Sequence, residues 1–240
     1  MIPTTPAAPP GRRDPLNRQR VVRAAITYID TNGLSDLTMR RLAATLGVEA
    51  MSLYKHVTGR DHLLDEVVES LLDELHGNPD VQPDIARDWP DYLRRVANGV
   101  RQIAVDHPRV FPLVATRPPD APWIRPPLRS LNWIESFLRT LQDHGFGRRQ
   151  AVDAYKAFTS FLLGHLLLEV AAMQVPIAPE DVPDRTSGSE PDLRSHPAVR
   201  ELADLLAEDT AATEFASSLE NLLERLAPLQ TGDAISTAQD

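Results

Sequence analysis

The chain has 240 residues, 42% hydrophobic and 25% charged, so it holds enough apolar material for a sizeable core and is not disordered throughout. It contains no cysteine, which excludes disulfide frameworks, Cys-ligated zinc and thiol catalysis and fits a reducing compartment. The net charge of −9 is unevenly divided: residues 1–60 hold nine basic and four acidic side chains, a balance of +5, and the rest of the chain carries −14. That asymmetry points to a polyanion-binding N-terminal unit attached to an acidic body.

In chain order, residues 1–15 contain five prolines and read as a disordered arm. They lack the apolar stretch of roughly 7–15 residues that a signal peptide needs. Asn17 is placed to cap a helix carrying Val21, Val22, Ala25, Ile26 and Ile29, which Gly33 ends. Thr38 caps a second helix with Leu42, Ala43 and Leu46 inward and Gly47 closing it. A third short helix is expected over 50–56, and a fourth from Arg60 to Leu75 with an apolar stripe wide enough for packing on two sides. His76-Gly77-Asn78-Pro79 stops it, and a linker runs to Asp88.

Further helices are expected at 89–106, 109–116, 122–144, 147–174, 197–208 and 210–227. The stretch 175–196, with four prolines and Ser187-Gly188-Ser189, reads as a long mobile loop, and 229–240 as a disordered tail. No run alternates apolar and polar residues long enough to make a strand, so the expected fold class is all-α. The longest apolar stretch, Phe158 to Met173, is interrupted by Gly164, His165 and Glu169 and does not read as a membrane span. The expectation is a soluble, cytoplasmic protein with no membrane partner.

Between Thr38 and His56 the spacing is that of a helix-turn-helix. Ala43 is small enough for two helices to cross closely, Gly47 can take a positive φ, and Val48 and Leu53 bury the second helix on the first. Ser52, Tyr54, Lys55 and His56 are left as a polar and aromatic face that suits a major groove, or simply as the solvated face of a helical corner. An enzyme with an incidental basic unit is the other class. Against it, the chain has no Gly-rich phosphate loop, no nucleophile elbow and no evident carboxylate pair, and no cofactor motif.

The run LNRQRVVRAAITYIDTNGLSDLTMRRLAATLGVEAMSLYKHVTGRDHLLDEVVESLL resembles the DNA-binding half of the tetracycline-repressor (TetR) family. The resemblance continues through Trp89, the Thr116-Arg117-Pro118 turn, Gly145-Phe146, Gly164 and Glu169, to about residue 227, and points to the subgroup with a tetracycline-repressor-like C-terminal domain. It implies a helix-turn-helix domain over 16–62, a connecting helix over 60–76, and a ligand-binding and dimerisation domain over 77–228. The implied function is a ligand-responsive repressor that, as a homodimer, binds a palindromic double-stranded DNA operator and leaves it when a small molecule binds. Dimerisation would use a stripe of Phe158, Phe161, Leu162, His165 and Leu166 and another of Phe215, Leu219, Leu222, Leu223 and Leu226, unless these are intrachain core.

The DNA-contacting set that the resemblance implies is Thr38, Met39, Arg40, Ala50, Met51, Ser52, Tyr54, Lys55, His56 and Arg60. Arg40 is either a bidentate guanine reader or a phosphate clamp, Lys55 and Arg60 suit phosphate, and Met51 suits a thymine methyl or plain packing. The ligand set is His76, Val96, Val100, Leu113, Thr116, Trp133, Phe137, His165 and Glu169, with Trp89 beside it. His76 and Thr116 match the family's drug-binding positions. Val96, Leu113 and Phe137 stand where the family's asparagine, metal-binding histidine and glutamine fall, and 108–118 contains no histidine. No metal is therefore expected, and the effector is expected to be more apolar than a magnesium–tetracycline chelate. His76 could equally cap its helix. The His165/Glu169 pair, four apart on one helix face, fits a metal pair, a ligand contact or a buried hydrogen bond.

Overall fold

The chain is described by a computed structural model over residues 15–117, 123–126, 130–173 and 193–230. The expected N-terminal arm, nearly all of the expected 175–196 loop and most of the expected C-terminal tail lie outside the described residues.

Local signals build the first four helices. α1 (Arg18–Asn32) starts where the Asn17 side chain accepts the Arg20 amide at 2.8 Å, and it ends at Gly33, whose φ is 87°. In α2 (Met39–Leu46) Thr38 accepts the Arg41 amide at 3.2 Å. Gly47 then takes φ 68°, a left-handed turn that lets the Val48 amide reach the Ala43 carbonyl at 3.0 Å. The turn delivers the chain into α3 (Ala50–Leu53), which is shorter than expected because the His56 and Val57 amides both close onto the Leu53 carbonyl, at 2.9 and 3.0 Å. α4 (Arg60–Gly77) follows.

The body consists of α5 (Trp89–Asp106), α6 (Phe111–Thr116), α7 (Leu131–Asp143), α8 (Arg148–Ala172), α9 (Pro197–Glu201), α10 (Ala203–Leu206) and α11 (Ala211–Gln230). No strand occurs among the described residues. Four expectations are corrected. α7 begins at Leu131, where Ser130 supplies the cap, accepting the Trp133 amide at 3.2 Å, and residues 123–126, inside the expected helix, are not helical. The helix expected over 197–208 breaks at Leu202 into α9 and α10. The linker to Asp88 is ordered as two 3-10 turns, Pro79–Val81 and Pro83–Ile85, each opened by its proline. α11 runs on through Pro228 to Gln230, which is pinned by the Trp89 indole donating to its Oε1 at 3.0 Å and by its own Nε2 donating to the His144 carbonyl at 2.7 Å.

The buried apolar side chains form one continuous cluster from Val21 to Leu226, so the N-terminal helices and the body share a core. α4 is the common element: Leu63, Leu64, Val67, Val68, Leu71, Leu72 and Leu75 are all buried, and the helix packs on α1, α5, α6 and α7. In the body, the Phe137 ring is surrounded by Tyr92, Trp133, Tyr155 and Phe158, at centroid distances of 5.2 to 6.3 Å. The two stripes expected to self-associate lie mostly inside the chain. α11 packs directly on α8 and buries Phe158, Leu162, Leu166, Phe215, Leu219, Leu223 and Leu226. In the second half of α8 the exposed residues include Ser160, Gly164 and Leu168, flanked by half-buried Phe161 and His165. No helix among the described residues is long and apolar enough to cross a membrane.

Asp91, in the first turn of α5, accepts the Arg87 amide at 3.1 Å and Arg95 Nε at 3.1 Å. These bonds, that to the Arg87 amide first, hold its carboxyl well below the usual carboxylate range. A depressed carboxylate stabilises the fold above its unfolded pKa, and the contribution fades as pH falls through the folded value. Asp91→Asn should therefore lower the thermal midpoint at neutral pH, and the gap to wild type should narrow once pH drops below about 4. Thermal melts across that range check it; a gap independent of pH would refute the assignment.

Candidate nucleic-acid interface and effector cavity

α2 and α3 are held on α1 by Leu42, Ala43, Leu53 and Val57, all buried. This packing turns one face outward. Thr38, Arg40, Met51, Tyr54 and Lys55 are exposed, Met51 by 72%, and Ala50, Ser52 and His56 are half-buried beside them. The α3–α4 turn is fixed from below by His62, whose Nδ1 accepts the Thr58 amide at 3.1 Å while Nε2 faces the Glu66 carboxylate at 3.2 Å.

Two expected DNA contacts are corrected. Met39 is 9% exposed and joins the core, because in an amphipathic α2 it shares the inward face with Leu42 and Ala43. Arg60 is engaged within the chain. Its Nε donates to the Leu37 carbonyl at 3.0 Å and its Nη2 to the Leu34 carbonyl at 2.9 Å, tying the α1–α2 connection to the start of α4. Arg18 is likewise taken by the buried Glu66, and Arg41 by Asp36 at 2.6 Å. Arg60→Lys keeps the charge and loses the two-pronged donor. It is expected to cost about 1–2 kcal/mol of stability in denaturant unfolding; an unchanged midpoint would return Arg60 to a purely electrostatic role.

The sequence reading missed the contacts between this unit and the body. His107 Nδ1 meets Asp30 at 2.6 Å, and Arg109 donates to the Thr31 carbonyl at 3.1 Å. After α6, Arg117 gives two bonds to Asp65, at 2.9 and 2.6 Å, and one to the Asp61 carbonyl at 2.9 Å. Both ends of α6 thus grip the DNA-facing half. Nothing in residue spacing pairs 117 with 61 or 30 with 107; the Thr116-Arg117-Pro118 turn was visible only as part of the family pattern.

Two recesses lie in the body against α4. One, of about 10 Å³, is bounded by Leu75 and His76 of α4, Gln82, Tyr92 and Val96, and Trp133 and Ser136 of α7. The other, of about 20 Å³, is bounded by Leu72 and Leu75, Val100, Val114, Trp133, Thr159, Leu162 and Leu163. Leu75 and Trp133 line both and form the partition. Gly99 makes room for that partition: a Cβ there would lie 2.6 Å from Leu75 Cδ1 and 3.1 Å from Val81 Cγ1. Of the expected ligand set, His76, Val96, Val100 and Trp133 meet here. His76 is exposed at the rim, and its carbonyl accepts the Gln82 side-chain amide. Gln82, Tyr92, Ser136 and Thr159 were not singled out from sequence, since small neutral polar residues within apolar helices carry no spacing signal.

The remaining residues of the expected ligand set lie outside the lining of the two recesses. Leu113 is packed into the core beside the recesses, and Phe137 stands behind Trp133 at 5.2 Å. Thr116 is exposed and donates to the Pro112 carbonyl at 2.8 Å. Trp89 packs edge-on to Phe146 at 5.1 Å, away from both recesses. Glu169 is taken by Arg101, whose Nη2 and Nε lie 2.5 and 3.1 Å from it, and the same guanidinium sits 5.6 Å from the Phe215 ring centroid. His165 packs edge-on to Phe215 at 5.3 Å. The pair is therefore part of the α5–α8–α11 junction. Among the described residues no group of three His, Cys, Asp or Glu could hold a metal ion.

A family model described as the tetracyclin repressor-like C-terminal domain matches residues 82–229. The class D tetracycline repressor protein of Escherichia coli is 28% identical over 211 residues, covering 87% of this chain and 88% of that protein. The fold resembles TetR from Acinetobacter baumannii AYE, with a TM-score of 0.69 at 24% identity over 90% of this chain and 99% of that one. It also resembles the Streptomyces coelicolor TetR family protein ActR in complex with actinorhodin, with a TM-score of 0.64 at 23% identity over 90% of this chain and 97% of that one. At such identities the structural likeness establishes the fold.

Proposed function

Because the chain belongs to the tetracycline-repressor family, we propose that it is a ligand-responsive transcriptional repressor, a regulator rather than an enzyme, that acts in the cytoplasm as a homodimer on a palindromic operator. A small, largely apolar effector releases it, without a metal or cofactor. The observation that carries this reading is the placement of α4. Its first turn lies at the helix-turn-helix, gripped by Arg117, and its last turn supplies Leu75 and His76 to the recesses.

The roles follow from exposure. Arg40, Met51 and Ala50 face the base edges, Thr38, Ser52, Tyr54, Lys55 and His56 hold the backbone, and the 16–62 segment forms the reading unit. One such unit buries too little for specific affinity alone, so two are needed at a fixed spacing. The outward strip of α8 around Gly164 and Leu168 is the surface offered to the second copy, and 77–228 is the body that carries it. An effector entering the apolar recess must push between Leu75 and Trp133, which displaces the end of α4 and re-aims the reading unit. Linkage requires the effector to weaken operator binding by the factor by which the operator weakens effector binding, commonly about 5–150-fold.

Gel shifts with the DNA upstream of the protein's own coding sequence, at two salt concentrations, test the reading. Arg40→Ala should relax preference at one base position. Lys55→Ala should weaken specific and scrambled DNA alike and lower the salt slope by about one unit. A protein that shifts specific and scrambled DNA equally at all salts is not this repressor.

A further inference from the structure

We infer that His62, a residue outside the DNA-facing set, positions the stretch from Tyr54 to His56 and makes operator binding acid-sensitive. The turn that carries those residues closes on a neutral imidazole and opens when the ring takes a second proton. The inference rests on the regulator reading above and adds a positioning residue to it.

α3 spans only Ala50–Leu53, so the orientation of the residues after it depends on what holds the chain into α4. The His56 and Val57 amides close onto the Leu53 carbonyl. The next amide, that of Thr58, is met by a side chain and donates to His62 Nδ1 at 3.1 Å. Gly59, which opens α4, supplies no side-chain cap of its own. A backbone amide can only donate, so Nδ1 must present a free lone pair. The other ring nitrogen, Nε2, faces Glu66 Oε1 at 3.2 Å and holds the single proton of the neutral ring. Both nitrogens are thus assigned, in a tautomer that leaves no place for a second proton.

The surrounding charges do not call for that second proton. Glu66 is the nearest acid, and Arg18 of α1 already takes both of its oxygens. Asp61 and Asp65, the neighbouring acids of α4, are held by Arg117 from the end of α6. Glu69 lies two turns further along the face of His62. In and beside the turn, Lys55, His56 and Arg60 contribute only cationic or titratable groups. Protonating Nδ1 sets one N–H against another at Thr58, while the contact with Glu66 persists on the opposite side of the ring. The Thr58 contact is the one that yields. Operator binding needs the closed turn, so binding and protonation oppose each other, and affinity falls as pH drops through the histidine range. His56, in the DNA-facing set, acts in the opposite sense, since a proton there adds positive charge toward phosphate.

The probe is a duplex enriched from a random pool by the full-length wild-type protein at about pH 8. Anisotropy titrations against it and a scrambled duplex run from about pH 8 to 5.5 at constant ionic strength, across the histidine range, with circular dichroism checking that each protein is folded. Wild type is expected to lose about 3- to 10-fold in its specific-to-scrambled ratio over that range. His62→Gln, whose amide oxygen can accept from Thr58 while its NH₂ donates to Glu66, should keep the starting ratio within about 2-fold and hold it flat. His62→Ala should lower the starting ratio by about 3- to 10-fold with the salt slope unchanged, since no phosphate contact is lost. Should His62→Ala fail to fold, the comparison with His62→Gln decides alone. Three results overturn the inference: a His62→Gln profile that falls in parallel with wild type, a wild-type ratio that holds or rises in acid, or a His62→Ala salt slope reduced by about one unit. Each of them leaves the regulator reading intact, because a duplex was enriched. A pool that yields no enriched duplex removes that reading, and the inference with it.

Discussion

α4 is buried along almost its whole length because it serves two neighbours at once, the helices of the reading unit and those of the body. Each of its buried Leu and Val side chains contributes about 1.5–3 kcal/mol. Its one buried carboxylate, Glu66, is tolerated because Arg18 and His62 both meet it. Over 18 residues the helix is a rod of about 27 Å. The couplings by which ligands act at a distance are about 1–3 kcal/mol, far below the cost of unpacking such a rod. An effector can tilt or slide α4; it cannot melt it. Displacement at one end is thus delivered to the other.

The second connection is polar. His107 to Asp30, Arg109 to Thr31 and Arg117 to Asp61 and Asp65 join α6 and its flanks to the reading unit. Asp61 is 87% exposed, so its pair with Arg117 contributes only about 0–1 kcal/mol, whereas Asp65 and Asp30 are largely buried partners. Val114, on the same short helix, lines the apolar recess three residues before Arg117. The recess linings thus adjoin both ends of α4, Leu75 directly at its last turn and Val114 by way of Arg117 at its first.

Sequence made the local events legible. Asn17, Thr38, Gly33 and Gly47 each have a capping chemistry that works within four residues, and the helices they bound lie where that chemistry puts them. Long-range partners were not legible. Glu169 and His165 share a helix face at ligand spacing, yet Arg101, on another helix, consumes the carboxylate. Arg60 counted as a free cation until the Leu34 and Leu37 carbonyls were beside it. Pro228 argued for an earlier end to α11, and only the Trp89–Gln230–His144 contacts explain why the helix continues. The recess-lining Ser136 and Thr159 have no spacing signature.

The charge count of the reading unit takes on a different meaning once partners are assigned. Of its basic side chains, Arg18 is committed to Glu66, Arg41 to Asp36 and Arg60 to backbone carbonyls. Among the described residues of α2 and the stretch after α3, Arg40 and Lys55 stay exposed. Non-specific DNA binding by phosphate contacts alone has dissociation constants of about 10⁻⁴–10⁻⁶ M. Specific affinity then depends on two units engaging together, and so on their separation. That dependence makes a small movement sufficient. A tightly held monomeric reader would tolerate a tilt of α4, whereas a pair of weak readers fails as soon as one leaves register. The modest free charge of the N-terminal unit and the rigidity of the helix behind it are thus two halves of one device.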